Sequence, residues 1–456
     1  MATDLERAYK ALSDKQKIYT KLWQYYDGIQ PLRYSTDRLR DIFKNIDARF
    51  TQNWCEVVVD VILERINIKQ IQITGDEPAS KLLNDWWFNT EMNLDADDVH
   101  LCALVTGESF AMVWPDADGN LDGYYNDSRL VHLFYDQANP KLVNFGAKWY
   151  QHDDGRVRLT LYYPERLEYY AADAQLKNIS SANAFQPMPL DEADPNSYIA
   201  ENPLQRVPIF HWRRERRAVK SELGAGVLDT QDAINKLISD MMVAAEFGAF
   251  KQRWIISQAD IGALKNSPGE IWDLPAGDGL GQGTMVGEFG QVDLDTFMGQ
   301  IQELANSIAK MKRLPQHYFH LGARADPSGE TLIAMESPLV KRVNKYIQRF
   351  QATWGDLAAF VADFQKIDIS VAGPYVIFED PRIAQPKTTA ETRKTNVEAG
   401  IPLRTQLRRE GWTPRELAEM DADKQTDQAA AQQSMAVAML NAQRQFDQNG
   451  ADNAPV

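Results

Sequence analysis

Between residues 327 and 364 apolar side chains recur at Val343, Ile347, Phe350, Trp354, Leu357, Val361 and Phe364, with spacings that alternate between four and three. That period keeps one face of an α-helix apolar and predicts a single helix through the segment. At ~1.5 Å per residue it would be roughly 55 Å long, far beyond the average globular helix. A rod of that length suits a large layered assembly. Its start is written in Asp326-Pro327. Asp can cap the open amides of a first turn, and Pro fits there because the N–H it lacks has no helical partner.

The same period appears at the N-terminus, where residues 4 to 26 carry Leu5, Tyr9, Leu12, Ile18, Leu22 and Tyr25 on one face, and Gly28 and Pro31 end the helix. A second helix is expected over 51 to 65, a strand over 66 to 73, and helices over 79 to 89 and 95 to 107. From 109 to 170 the period drops to two, in runs such as Phe110-Ala-Met-Val-Trp114 and Val157-Arg-Leu-Thr-Leu-Tyr-Tyr163. Asp118-Gly119, Asp122-Gly123 and Asp154-Gly155 separate the runs, which predicts an antiparallel meander. Residues 173 to 205 read as a long exposed loop, and Val207-Pro-Ile-Phe-His-Trp212 as a closing strand.

Two further helices are expected, over 223 to 250 with Ile234, Leu237, Met241 and Ala245 on one face, and over 292 to 311 with Leu294, Phe297, Ile301, Leu304, Ile308 and Met311. They flank a small mixed insert, 251 to 291, which such a pair can project as a stalked module. Beyond the long helix the pattern gives a strand over 369 to 378, a helix over 388 to 399 closed by Gly400-Ile-Pro, and short helices over 404 to 410 and from 413 or 414 to 420. From Asp421 the chain is rich in Gln, Ala, Asn and Asp and is expected to be partly helical and poorly ordered.

Composition narrows the function. With 456 residues and 44% hydrophobic content the chain can bury a large core, in roughly two to four domains. No run approaches the ~18 consecutive apolar residues of a membrane span, and Met1-Ala-Thr-Asp-Leu-Glu-Arg has no signal-peptide pattern, so a cytoplasmic site of synthesis is expected. Cys55 and Cys102 each sit in an apolar run and read as buried thiols. The 49 Lys and Arg against 64 Asp and Glu leave a formal charge of −15. Such a surface does not grip nucleic acid broadly, although it can keep a passing polyanion from sticking.

Several motifs invite chemistry and then fail a requirement of it. The glycines of Gly277-Asp-Gly-Leu-Gly-Gln-Gly283 are followed by no Gly-Lys-Ser/Thr and stand between no strand and helix, so they read as a turn rather than a phosphate cradle. Asp116-Ala-Asp-Gly-Asn-Leu-Asp starts like a calcium loop, but Leu121 stands where that loop needs glycine, which leaves hairpin-turn chemistry. His317 and His320 lack carboxylate or cysteine neighbours at metal spacing. No nucleophile elbow or zinc-protease helix occurs. The run Arg213, Arg214, Arg216, Arg217 and Lys220 could touch nucleic acid, but with Glu215 inside it and an acidic chain around it a partner subunit is the better fit.

The order of elements is the most specific signal, together with Ser221-Glu-Leu-Gly, Asp232-Ala-Ile-Asn-Lys-Leu-Ile-Ser-Asp240, Arg313-Leu-Pro-Gln-His-Tyr-Phe, Pro327-Ser-Gly-Glu-Thr-Leu, Glu379-Asp-Pro-Arg and Val397-Glu-Ala-Gly-Ile-Pro. Over residues 20 to 420 this resembles the portal proteins of tailed bacteriophages. The resemblance implies an α+β, portal-type fold: an α/β wing (1–222), a first stem helix (223–250), a small α/β clip (251–291) and a second stem helix (292–312). Residues 313–380 would hold the tunnel loop, the very long helix and a strand returning to the wing, with a helical crown over 381–425 and a flexible tail over 426–456.

It also implies a homo-oligomeric ring of about twelve copies at one capsid vertex, a channel for DNA packaging and ejection. The implied partners are double-stranded DNA, terminase, scaffold and major capsid proteins and a head–tail adaptor, in the virion and in host cytoplasm during assembly. No catalytic residue, metal, cofactor or membrane is implied. By the same resemblance Leu321, Gly322, Ala323, Arg324, Ala325, Asp326, Pro327, Ser328 and Gly329 form the DNA-facing tunnel loop, with Arg324 its one cation. Trp254, Trp272, Gly279 and Gly281 mark the clip's docking surface, and Arg213, Arg214, Arg216 and Arg217 a subunit interface. The alternatives from other classes are a metal-dependent enzyme acting on nucleic acid and a capsid or head–tail adaptor without a channel.

Overall fold

A computed structural model describes residues 3–31, 51–73, 76–191, 193–249, 253–256, 285–288, 293–320, 328–367, 373–382, 386–410, 412 and 416–429. The chain divides into two units, Met1–Glu64 with Thr90–Thr353, and Arg65–Asn89 with Trp354–Val456. Helices and antiparallel strands make up both, which places the fold in the α+β class.

In the first unit helix α1 (Asp4–Tyr26) opens with a complete capping box, the Thr3 hydroxyl accepting from the Glu6 amide and the Glu6 carboxylate accepting from the Thr3 amide. Ala8 and Leu12 then pack on Phe145, Trp149, Val157, Leu159 and Leu161 of an antiparallel sheet. Its strands are β4 (Val131–Tyr135), β5 (Val143–Gln151), β6 (Val157–Tyr162), β7 (Arg166–Ala172) and the two-residue β8 (Gln186–Pro187), in that order, with β9 (Ile199–Glu201) also on β7. β8, β9 and two short 3₁₀ turns give residues 173 to 205 more order than an exposed loop has, because Phe185 and Ala182 are buried.

A second sheet has the order β10 (Ile209–Arg213), β2 (Glu108–Pro115), β3 (Leu121–Asn126), and shares Phe110, Met112, Leu133 and Ile209 in one apolar cluster. At its hairpin the Asp116 carboxylate accepts from the amides of Asp118 and Asn120 at 2.9 and 2.8 Å, an Asx turn that Gly119 completes at φ 84°. Helix α2 (Trp54–Leu63) precedes this sheet, and helix α4 (Met92–Thr106) packs against β2. Val99, Cys102, Ala103, Leu104 and Val105 of α4 are all fully buried, so this helix is wrapped on most sides rather than amphipathic. Cys55 and Cys102 are free thiols in the interior.

Helices α5 (Ala225–Ala249) and α6 (Leu294–Lys312) pack along one another. Between them the described part of the insert is a ribbon of β11 (Arg253–Ile256) and β12 (Met285–Glu288), in which Trp254 lies opposite Gly287. A Cβ at Gly287 would stand 2.4 Å from the Trp254 indole, so the ring needs a glycine there. The glycine-dense turn of the insert lies outside the described residues. The α5 face is also more polar than its apolar positions predict. Gln231, Asp232, Asn235 and Ser239 are buried beside Ile234; the first three have partners on distant segments, and Ser239 Oγ donates to the Asn235 carbonyl one turn back. Gln231 Oε1 accepts from the Trp54 amide at 2.9 Å, and Tyr25 Oη donates to Asp232 at 2.7 Å.

The long helix α7 runs from Gly329 to Phe364, includes Pro338, and passes from the first unit to the second. Its buried seam is Leu339, Val343, Tyr346, Phe350, Trp354, Leu357 and Val361. Tyr346 therefore takes the place expected for Ile347, and Phe364 is exposed. Its first turn is capped by Ser328, whose hydroxyl accepts from the Thr331 amide at 3.4 Å, so the described helix starts two residues beyond the expected Pro327.

In the second unit β1 (Ile68–Ile73) pairs antiparallel with β13 (Pro374–Phe378). Helix α3 (Glu77–Asn89) packs on β1, and the Asn84 amide bridges the Ile71 N–H and C=O at 3.0 and 2.6 Å, while Ser80 Oγ accepts from the Ile73 N–H at 2.8 Å. Side chains thus satisfy the main-chain groups that an edge strand would leave open. Trp87 meets Trp354 edge-on at 5.1 Å. Helices α8 (Pro386–Glu398) and α9 (Leu403–Arg409) follow, joined by the Arg393–Glu410 ion pair. The next helix continues through 416–429 rather than ending near Met420, and Asp421 takes a 3.0 Å ion pair from Arg404.

Candidate functional site

The loop expected to face DNA joins α6 to α7, and its residues 321–327 lie outside the described set. Its two flanks are described, and they form a braced neck. α6 ends where Arg313 turns left-handed at φ 53° and Leu314 donates back to the Ala309 carbonyl at 2.9 Å. A 3₁₀ turn, Gln316–Phe319, then buries Phe319 completely against Trp54, with ring centroids 5.3 Å apart and planes 22° from parallel. Gln302 on α6 donates to the Phe319 carbonyl at 2.7 Å. On the far side of the loop Glu336 is 2% exposed, and its Oε1 takes Tyr318 Oη and His317 Nε2, each at 3.0 Å. Two side chains before the loop thus close on one carboxylate after it. His317, weighed in the sequence as one of a metal pair, is engaged by that carboxylate instead. Ser328 is the helix cap and Gly329 the first helical residue.

A second buried carboxylate ties the same helices to the basic run. Glu222 receives Arg214 Nη1 at 2.8 Å, Arg342 Nη2 and Tyr346 Oη, with Lys312 Nζ at 3.8 Å. Arg342 also donates to the Lys312 carbonyl, a group that the end of α6 would leave open, and Arg349 donates to the Arg214 carbonyl. Burial raises the cost of ionising Glu222, but Arg342, Arg214 and Lys312 outweigh it and hold its pKa below the ordinary value. Burial moves Lys312 the other way, lowering its pKa. One carboxylate therefore joins the 214–222 connection, the end of α6 and the middle of α7.

The four arginines of the run do not share a surface. Arg214 turns inward to Glu222, and Arg213 lies over the Tyr135 ring at 5.2 Å. Arg216, Arg217 and Lys220 are exposed. In the insert, Trp254 is half-buried on the ribbon; Trp272, Gly279 and Gly281 lie outside the described residues.

A third polar junction has the residue types of an active site. Glu108 accepts from Tyr19 Oη at 2.7 Å, from His211 Nε2 at 2.9 Å and from Lys15, whose ammonium also meets His132 Nδ1. His211 Nδ1 is paired with Tyr135 Oη at 2.8 Å. Burial, reinforced by Lys15, pushes the His132 pKa down to about 3, so the ring is neutral and accepts from the ammonium. Both Glu108 oxygens are taken, which makes the cluster a pin fastening α1 to both sheets. Its members come from four elements, and no local spacing in the sequence marks them.

The family model for phage portal proteins of the SPP1 Gp6-like kind matches residues 9–430. The portal protein of Mycobacterium phage L5 is 22% identical over 315 residues, and that of Mycobacterium phage D29 is 22% identical over 316. Each alignment covers 65% of this chain and 61% of the relative, so the chain spans about three fifths of the length of these curated relatives.

Proposed function

The chain belongs to the SPP1 Gp6-like family of phage portal proteins, and from that premise we propose that its copies close into a ring at one capsid vertex and form the channel through which DNA is packaged and ejected. In this reading α5 and α6 are the stem, residues 251–291 the clip that docks terminase and the head–tail adaptor, residues 321–329 the DNA-facing loop, and the chain beyond about 381 the crown. Scaffold and major capsid proteins would meet the N-terminal body. The role is structural, in the virion, and the hydrolysis that drives packaging belongs to a separate motor.

The observation that carries this reading is the neck. The two flanks of the loop are fixed by Phe319 on Trp54, by Gln302 and by the Glu336 carboxylate, so the chain enters and leaves it from braced positions on the helix pair and the long helix. Flanks braced in this way can bear the passage of a polymer without the helices yielding. The charge of −15 supports the same use, since a basic lining would hold phosphate and stall a sliding duplex. The test is negative-stain electron microscopy of the purified chain with its mass measured by light scattering. Closed rings with an open centre are the expected result. Nucleotide hydrolysis or metal-dependent nuclease activity by the purified chain would overturn the reading.

A further inference from the structure

The connection between β10 and α5 departs in charge from the rest of the molecule. Residues 213–222 hold five cations and two carboxylates, a net +3, so the other 446 residues carry −18. It is also built rather than loose. The Arg214 amide donates to the Gly107 carbonyl at 3.1 Å, the Glu222 amide donates to the Leu104 carbonyl at 2.9 Å, and Ser221 Oγ donates to the Val105 carbonyl. Arg214 crosses the connection to bond the Lys220 carbonyl and Glu222 together. Gly107 lets the two backbones approach so closely that a Cβ there would sit 2.7 Å from Lys220 main-chain atoms. One arginine is thus spent inside to hold the segment, and Arg216, Arg217 and Lys220 are displayed on its outside around Val219, which is 44% exposed.

Among the described residues no carboxylate pairs with Arg216, Arg217 or Lys220. Displaying charged side chains on a braced segment lowers the ordering cost of binding. An apolar Val219 among guanidinium groups matches the composition of a protein interface, where arginine is enriched, better than a phosphate track, which needs a longer array of cations. We infer that the 216–220 ridge docks an acidic surface of a second copy of this chain. A copy is the partner whose surface is acidic by composition and whose concentration always equals the ridge's own. The inference rests on the ring reading for its occupant and deepens it by separating an inward Arg214 from the outward ridge that makes the contact.

The experiment uses the full chain, wild type and R216E/R217E, with R216K/R217K as the charge-preserving control. Self-association is followed by sedimentation velocity in low and high salt, and binding of a labelled DNA duplex by fluorescence anisotropy. Both substituted residues are exposed, so circular dichroism and the melting temperature should not move. The expected result is self-association at least tenfold weaker in R216E/R217E, mostly retained in R216K/R217K, and weakened by salt in the wild type. Equal association of wild type and R216E/R217E overturns the inference, and if both form rings the portal reading stands without it. Loss of duplex binding with association unchanged overturns it in favour of a nucleic-acid contact. A wild-type chain that stays monomeric at low salt also overturns it.

Discussion

Gly107→Ala isolates the close approach on which the basic connection depends. Gly107 is the left-handed C-cap of α4, at φ 99°, and donates to the Ala103 carbonyl at 3.0 Å. Two costs follow from adding a methyl. The left-handed backbone costs an L-residue about 1–2 kcal/mol. The new Cβ would also lie 2.7 Å from the nitrogen and carbonyl carbon of Lys220 and 2.8 Å from its oxygen. These are main-chain atoms pinned by Arg214 and Ser221, so they cannot rotate away as a side chain would, and forced overpacking adds roughly 1–3 kcal/mol. The sum is about 2–5 kcal/mol, a large part of an ordinary domain's stability. Gly119 provides the control, because it too is left-handed, at φ 84°, but a Cβ there meets nothing within 4 Å. Gly119→Ala should show the backbone cost alone. Gly146→Ala should show a purely steric one, softened because its nearest atom, at 2.7 Å, is the terminal methyl of Ile209. Urea unfolding of the three variants measures the series. If Gly107→Ala costs no more than Gly119→Ala, the closeness of the 104–107 and 220–222 backbones is refuted.

The remaining predictions address the buried polar groups. Glu222→Gln removes the charge that Arg214, Arg342 and Lys312 share, and should cost about 3–5 kcal/mol in urea unfolding, the scale of a broken buried ion pair; a loss below 1 kcal/mol would mean that water reaches these cations. Phe319→Ala empties the site against Trp54 and should cost about 3–5 kcal/mol, while Tyr318→Phe, which removes only the hydroxyl donated to Glu336, should cost about 1–3 kcal/mol. His132 gives the chain a pH dependence. Its folded pKa of about 3 lies below the unfolded value near 6.5, so between these values only the unfolded chain takes the proton, and stability falls as pH drops below 6.5. At pH 5 the loss is about 2 kcal/mol relative to pH 7.5, and His132→Gln should remove it; an unchanged pH profile in that variant would show that the ring is charged in the folded state.

How much of this was legible in the sequence depends on whether the signal is periodic. The helices over 4–26, 223–250, 292–311 and 327–364 each appear within a few residues of their expected limits, because an apolar stripe of period 3.6 is a local pattern. The faces they bury depart from the apolar stripe in places, and the departures share a cause. On α1 the apolar stripe puts Ile18 inward, yet it is 60% exposed and Tyr19 is buried. On α7 the stripe selects Ile347, and Tyr346 is the buried residue. In both, hydrophobicity ranks isoleucine above tyrosine, and the fold prefers the tyrosine because its hydroxyl reaches a buried carboxylate, Glu108 for Tyr19 and Glu222 for Tyr346. Tyr25 follows the rule through Asp232. These partners stand 89, 124 and 207 residues away, so no window along the chain can contain them. The Glu222 junction escapes local pattern for the same reason, and Arg214, which the sequence groups with Arg213, Arg216 and Arg217 as a partner-subunit surface, turns inward to it. A buried acid needs its donors from several segments at once. The groups that fasten this molecule together are therefore the ones that local pattern misreads, and a tyrosine beside the apolar seam of a long helix marks where such a carboxylate should be sought.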